Sequence, residues 1–254
     1  MKGKSLPNLI RLLALCPLLF VFFSYASTNA IPLKYNISAS GSHYPYYTNN
    51  PKKPGILPEI IEKVLDSANI EAFHVDLPTK RITKYLQNEV IDFDVISLEW
   101  LPKSERNDPR YVFSEPLIYA TEMIVTLPQN VHNWQSTDSL KGKNIGTVLG
   151  YYYYDDNTFE RVDFPSEKEL MTALSRNRVE AALVGKLTAL YWAKQLDMRI
   201  AFGAQHSHGF LSIRLLSKHK NLLPKINQAI KNLHSQGYIK NIEDKYLLNT
   251  PSLN

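Results

Sequence analysis

Glu99, Trp100, Lys103 and Arg106 follow closely on an apolar run made of Phe93, Val95, Ile96 and Leu98. Such a run suits a strand buried on both faces of an α/β sheet. Open α/β sheets bind their ligands just beyond the carboxyl ends of strands, so these polar and aromatic groups collect where a site is expected. A guanidinium is always charged and presents paired N–H donors that match a carboxylate at two points, which makes Arg106 the leading candidate anchor for an acidic group. The competing reading is a surface salt bridge from Arg106 to Glu105 or Asp108. Glu99 beside it could act as a general base near a bound carboxylate, and Trp100 adds an aromatic side chain. No nucleophile elbow, HExxH or phosphate loop occurs in the chain, so nothing independent supports catalysis.

These residues need a folded body to hold them, and the composition allows one. The 254 residues, 44% hydrophobic and 21% charged, describe a globular chain able to bury a core as one large domain or two lobes. The formal charge of +5 falls to +2 once Lys2, Lys4 and Arg11, which lie in an acid-free leader, are set aside. That is too little for a phosphate-binding footprint, so no nucleic-acid partner is expected. Residues 1–30 combine a basic start, the apolar run LLALCPLLFVFF and small residues at Ser24, Ala26, Thr28 and Ala30. This is the pattern of a secretory signal peptide cleaved after Ala26 or Ala30. Pro17 interrupts the run, which falls short of the roughly 20 residues of a spanning helix. The one cysteine, Cys16, lies in that leader behind Leu15 rather than a small residue. Neither a lipid anchor, a disulfide nor a cysteine metal site is expected in the mature chain.

Alternation through Tyr35, Ile37 and Ala39 predicts a first strand, ended by a turn dense in aromatics, Gly41 to Tyr47. A helix opens at Gly55, with Pro58 in its first turn and Ile60, Ile61, Val64, Leu65 and Ala68 on one face. Ala72 to Val75 gives the next strand of a βαβ unit and Thr79 to Gln87 a second helix. Beyond Phe113-Ser114-Glu115-Pro116 the chain extends again through Met123, Ile124 and Val125. Ser166 and Glu169 form a capping box before Leu170, Met171, Ala173 and Leu174. Strand 178–184, helix 187–196, an extended return over Phe210 to Leu216 and helices 223–235 and 239–246 complete the pattern. His206 and His208 read as residues of a Gly/Ser loop with no acidic or histidine companion nearby, so no metal site is assigned to them.

Several of these pieces, in this order, resemble the family 3 solute-binding proteins, the periplasmic receptors of polar amino-acid ABC transporters. They are the strand acid, the loop with Glu105-Arg106, Phe113-Ser114-Glu115-Pro116-Leu117, the entry strand Leu140 to Gly150 and the closing Gly237-Tyr238 and Lys245-Tyr246 pairs. The resemblance implies an α/β fold of the two-lobe, type II periplasmic binding protein kind, each lobe a mainly parallel sheet flanked by helices, joined by two hinge crossings. On that pattern residues 31–126 and 213–254 form the first lobe and 127–212 the second. The resemblance further implies an aromatic ligand wall, for which Tyr44, Tyr46 and Tyr47 are the candidates against the reading that they simply pack their loop, a cleft-facing residue at the helix start where Arg81 stands, and a carboxylate grip by Arg106. Counting back from Arg106 aligns the family's strand acid with Asp94, and counting forward from Leu86 aligns it with Asp92. Hydroxyl-bearing contacts then fall near Ser97 and Glu99, or on Glu99 and Leu101. Gly150 is expected to release a helix whose N-terminus, with Tyr151 and Tyr152, closes on the ligand. Where the family places an aspartate for the ligand's ammonium, this chain has Gly185. Either Glu99 assumes that role or the ligand lacks the group. The expected activity is non-catalytic periplasmic binding of a small polar, amino-acid-like or carboxylate-bearing solute by a monomer that presents it to an ABC permease or a sensor. The alternative is a dehydratase-like enzyme on the same fold. No cofactor is expected.

Overall fold

The computed structural model describes residues 31–37, 44–48, 50–77 and 79–247. The expected leader and the Gly41-Ser42-His43 turn lie outside the described residues. Helix α1 (Ile56–Ala68) forms where its apolar spacing predicts, and buries Ile56, Leu57, Ile60, Ile61, Val64, Leu65 and Ala68. At about 1.5–3 kcal/mol for each large aliphatic side chain taken from water, this face alone anchors the first half of the chain. The chain can enter the helix there only through a glycine. Gly55 has φ 114°, and a Cβ on it would press on the Tyr46 carbonyl. α2 (Thr79–Gln87) follows, then a one-turn helix α3 (Lys103–Arg106). In the second half, α4 (Glu167–Ser175) is capped by Ser166, which accepts from the Glu169 N–H, the first half of the capping box, while the Glu169 carboxylate meets the Ser166 hydroxyl. Then come α5 (Lys186–Gln195), α6 (Leu223–Ser235) and α7 (Tyr238–Leu247).

Among the described residues nine strands make one sheet. They are β1 (Leu33–Asn36), β2 (Ala72–His74), β3 (Phe93–Ser97), β4 (Tyr111–Phe113), β5 (Ile118–Thr126), β6 (Asn144–Val148), β7 (Glu160–Phe164), β8 (Ala181–Gly185) and β9 (Ala201–Leu216). Their order is β2-β1-β3-β9-β5-β8-β6-β7, with β4 also on β9. The two ends are parallel, β1 with β2 and β3, and β6 with β7 and β8. The middle is antiparallel and consists of two crossing strands. β9 pairs with β5 along its first part and with β3 and β4 along its last. At 16 residues β9 is far longer than the Phe210–Leu216 return read from apolar content, because its early half carries polar side chains.

Buried apolar side chains separate into distinct cores. One gathers Leu33 to Ala120 with Leu211 to Tyr246 and is closed by α1, α6 and α7. α7 is tied to the start of α1, the Tyr246 hydroxyl bonding Glu59 Oε1 (2.6 Å) and accepting from the Gly55 N–H (2.8 Å). Two others, containing Val125, Leu170 and Ile200, and Ile124, Trp134 and Leu183, lie in the second half. The architecture is the two-lobe α/β arrangement with two crossings, each lobe's outer strands parallel. Among the described residues no helix is long and apolar enough to cross a membrane.

Candidate functional site

Ser97 ends β3 and its buried hydroxyl accepts from the Glu99 N–H (3.3 Å), starting a short 3-10 turn over Leu98–Trp100. The turn is packed against β9 at Gly209, where a Cβ would fall on Ser97 Oγ and crowd Glu99, so only glycine admits this approach. Arg106 is wrapped around the same turn. Its Nε donates to the Leu101 carbonyl (3.0 Å), NH2 to the Glu99 carbonyl (3.1 Å) and NH1 to Glu99 Oε2 (3.3 Å). Neither salt-bridge partner anticipated for it is used. Asp108 is taken by Arg110 (2.6 Å) and Glu105 leans toward Arg214 (4.0 Å). Among the described residues these three bonds leave one N–H on each terminal nitrogen of Arg106. Trp100 reaches across to β9, its indole N–H donating to Ser207 Oγ (3.2 Å).

Asp94 lies inside β3 opposite Arg214 and forms a buried two-point pair with it (2.9 and 2.5 Å). Asp92 sits just before the strand, where burial would raise its carboxyl but the Lys34 N–H, His219 and Lys218 together hold it below the usual value. Both strand acids are therefore engaged within the fold.

Tyr46 is buried in the first core, so it packs the loop rather than lining a cleft. Tyr44 is half-buried and its ring stacks on Tyr191 of α5 (3.8 Å between centroids, 20°). Arg81 lies in α2, and its side chain is outside the described residues.

No helix follows Gly150. The glycine takes φ 90° in a turn after β6, and the chain runs through an open loop and a turn into β7. Arg161 braces this loop, its NH1 donating to the Tyr151 carbonyl (3.1 Å) and its NH2 to the Val148 carbonyl (3.2 Å). The tyrosine run divides accordingly. Tyr151 donates to Glu167 Oε1 (2.6 Å), Tyr152 is half-buried, Tyr153 is buried with its oxygen accepting from the Val148 N–H, and Tyr154 is exposed. The helix-terminus anion site expected at Gly150 is thus not built.

Gly185 ends β8. It faces Glu122 of β5, which in turn faces Ser207 of β9. Between Glu122 and Met123 the β5–β9 register slips, leaving His206 as the extra residue of a bulge. Bulges re-aim side chains, and this one drives the His206 ring between two acids. Nδ1 is 2.7 Å from Glu122 Oε2 and Nε2 is 2.8 Å from Asp155 Oδ1. Tyr154 stacks on the imidazole (4.7 Å, 14°) and donates to the His206 carbonyl (3.2 Å). Burial alone would lower this imidazole's affinity for a proton, but the hydrogen bonds and charges of Glu122 and then Asp155 outweigh it, and the net shift is upward. The reading of His206 as a loop residue without acidic companions is overturned, because both partners are remote in sequence. Among the described residues no cluster of three His, Cys, Asp or Glu converges to hold a metal.

The sequence family described as bacterial extracellular solute-binding proteins, family 3, matches residues 34–249. The chain is 23% identical over 222 residues, 83% of each sequence, to the probable amino-acid-binding protein YxeM of Bacillus subtilis (strain 168). It is 25% identical over 149 residues, 56% of each, to the L-cystine-binding protein TcyJ of Escherichia coli (strain K12). In fold it is similar to the GluR0 ligand-binding core in complex with L-glutamate, at TM-score 0.74, 16% identity, and coverage of 86% of this chain and 99% of that one. It is also similar to an ancestral arginine-binding protein bound to arginine, at TM-score 0.69, 20% identity, and coverage of 85% and 97%. The fold is that of the type II, two-lobe periplasmic binding proteins, and the chain belongs to the bacterial extracellular solute-binding proteins, family 3.

Proposed function

We propose that this solute-binding protein takes an amino-acid-like, carboxylate-bearing molecule between its two lobes, without catalysis. The observation that carries this is Arg106. It is braced by two carbonyls and one carboxylate of its own turn, with one N–H left on each terminal nitrogen. That is a pre-set fork for two-point carboxylate recognition. Trp100 lies on the same turn, while Tyr44, Tyr152 and Gly185 are the candidate contributions from the aromatic loop and the second lobe. The separation of the cores supports lobes of residues 31–126 with 213–254, and 127–212. The dehydratase-like alternative needs Glu99 as a free base, and its carboxylate is instead held by Arg106. We take residues 1–30 as a cleaved export signal, and the mature monomer as delivering its solute to an inner-membrane ABC permease or a sensor.

A thermal-shift screen of the purified protein against amino acids, polyamines and small organic acids tests the reading. A solute at about 100 times its Kd stabilises the native state by about 2.7 kcal/mol and raises the melting temperature. Amino acids or small carboxylates are expected to give the shift and polyamines none. The reading fails when no carboxylate-bearing compound moves the transition.

A further inference from the structure

Ser207, Glu122 and Gly185 lie in one row across β9, β5 and β8, each directly opposite the next. Directly opposed residues of antiparallel strands point to the same face. Trp100 of the first lobe touches Ser207, so this face of the crossing strands looks toward the first lobe. The central member of the row is a carboxylate. On one flank the Ser207 hydroxyl approaches Glu122 Oε2 (3.4 Å), and on the other flank there is no side chain. A Cβ placed on Gly185 would meet only Thr188, in ordinary contact at 3.6 Å or more, so the glycine leaves room here that a larger side chain would take. We propose that Glu122, positioned by His206, receives an ammonium group of the solute in the space that Gly185 leaves.

Charge balance supports the assignment. Glu122 and Asp155 flank one imidazole, and with that ring protonated the three groups carry a net charge of −1. Glu122 and Asp155 are only 12% and 17% exposed, so the surplus is weakly screened and one ammonium neutralises it. The imidazole and Ser207 both bond Oε2, and among the described residues Oε1 takes no hydrogen bond. His206 is a positioning residue here. It fixes the carboxylate through a bulge that exists only because β9 carries one residue more than β5 at this point.

The inference rests on the cleft being the solute site, and the test separates the two. Isothermal titration uses the standard L-amino acids and, for each that binds, the acid with a hydroxyl in place of the α-amino group. The hydroxy acid is expected to bind at least about tenfold more weakly than its amino acid. Glu122→Gln should lose at least tenfold for the amino acid and leave the hydroxy acid unchanged. Gly185→Val fills the space without touching an ion pair, at a backbone φ of −54° open to any residue. It should lose amino-acid binding with an unaltered melting curve, and so decides the matter even where Glu122→Gln does not fold. Amino-acid binding unchanged in either folded variant overturns the role of Glu122 while the cleft stands. So does a hydroxy acid bound as tightly as its amino acid, or bound when no amino acid is. Failure of amino acids and hydroxy acids alike overturns the cleft reading together with this inference.

Discussion

The ring of Tyr44 lies against that of Tyr191 with centroids 3.8 Å apart and planes 20° from parallel. Tyr44 packs on the first core, and Tyr191 sits on α5, whose Ala189 and Ala193 belong to a core of the second half. The stack is therefore a direct link between the two lobes outside the crossing strands, of the kind that favours a shut form over an open one. Aromatic pairs contribute about 0.5–1.5 kcal/mol beyond area burial. Tyr191→Ala should weaken solute binding by about two- to twelvefold and enlarge the radius of gyration of the unliganded protein in small-angle scattering. Unchanged affinity and unchanged scattering together would show that the stack does not contribute to closure.

Arg214, fully buried on β9, is bonded at two points to Asp94 on β3 and lies over the Tyr111 ring at 5.2 Å. Removing one partner of a buried pair leaves an uncompensated charge and costs about 3–5 kcal/mol, whereas replacing both by apolar groups is often neutral. Asp94→Ala should lower the unfolding free energy by that amount, read as a fall in urea midpoint at an unchanged m-value, and Asp94→Leu with Arg214→Met should recover most of it. A loss under about 1 kcal/mol for Asp94→Ala would contradict the arrangement, as would a double variant less stable than the single one.

The apolar spacing of α1, the Ser166 capping box and the extended run of β5 were legible because each is written within a dozen residues. What was not legible joins distant parts of the chain. Asp94 and Arg214 are 120 residues apart, and His206 stands 84 and 51 residues from Glu122 and Asp155. Neither spacing carries a local signal. The early half of β9 reads as a loop because Gly203, His206, Ser207, His208 and Gly209 mimic turn chemistry. Pairing with β5 along this stretch overrides that preference. Gly150 misled in the opposite direction, since a glycine after a strand suits a helix start, whereas here it opens a loop that Arg161, ten or more residues on, braces. In the site, the loop bearing Arg106 could be located from its residue types. Its partner could not, because Glu99 folds back on it through a turn set by Ser97.

The Arg106–Glu99 pair is partly exposed, 27% and 52% by side chain, so the ion pair itself contributes about 0–1 kcal/mol. The bonds to two carbonyls add about 1 kcal/mol each. Arg106→Ala should therefore cost about 2–3 kcal/mol of stability and leave a folded protein. Binding of any carboxylate solute found for the wild type should fall at least about tenfold, since charged hydrogen bonds are worth about 1.5–3 kcal/mol each. Titration calorimetry and urea denaturation separate the two effects. A variant that binds normally would make the arginine a brace for the 99–101 turn and nothing more.

His206 gives the protein a pH signature with a definite sign. Burial works against its protonation, but Glu122 first and Asp155 second overcome it, so the folded-state value lies above the ordinary 6.5. A group whose folded value is raised stabilises the native state fully below its unfolded value, and that contribution is lost as pH rises through the folded value. His74 acts in the opposite sense, because burial depresses it despite Asp76, so a melting curve of the wild type alone mixes the two. His206→Gln isolates the term. The gap in stability between wild type and variant should be largest at pH 6 and below and shrink on the alkaline side of 6.5, with a limiting slope of about 1.4 kcal/mol per pH unit for one proton. Tyr153 and Tyr154, the other titratable groups packed on the ring, are both raised, chiefly by burial, and stay protonated through this window. A gap that is flat with pH would mean that folding leaves the ring's proton affinity unchanged, and one that grows on the alkaline side that folding lowers it; either result overturns the pairing of its charge with the two carboxylates.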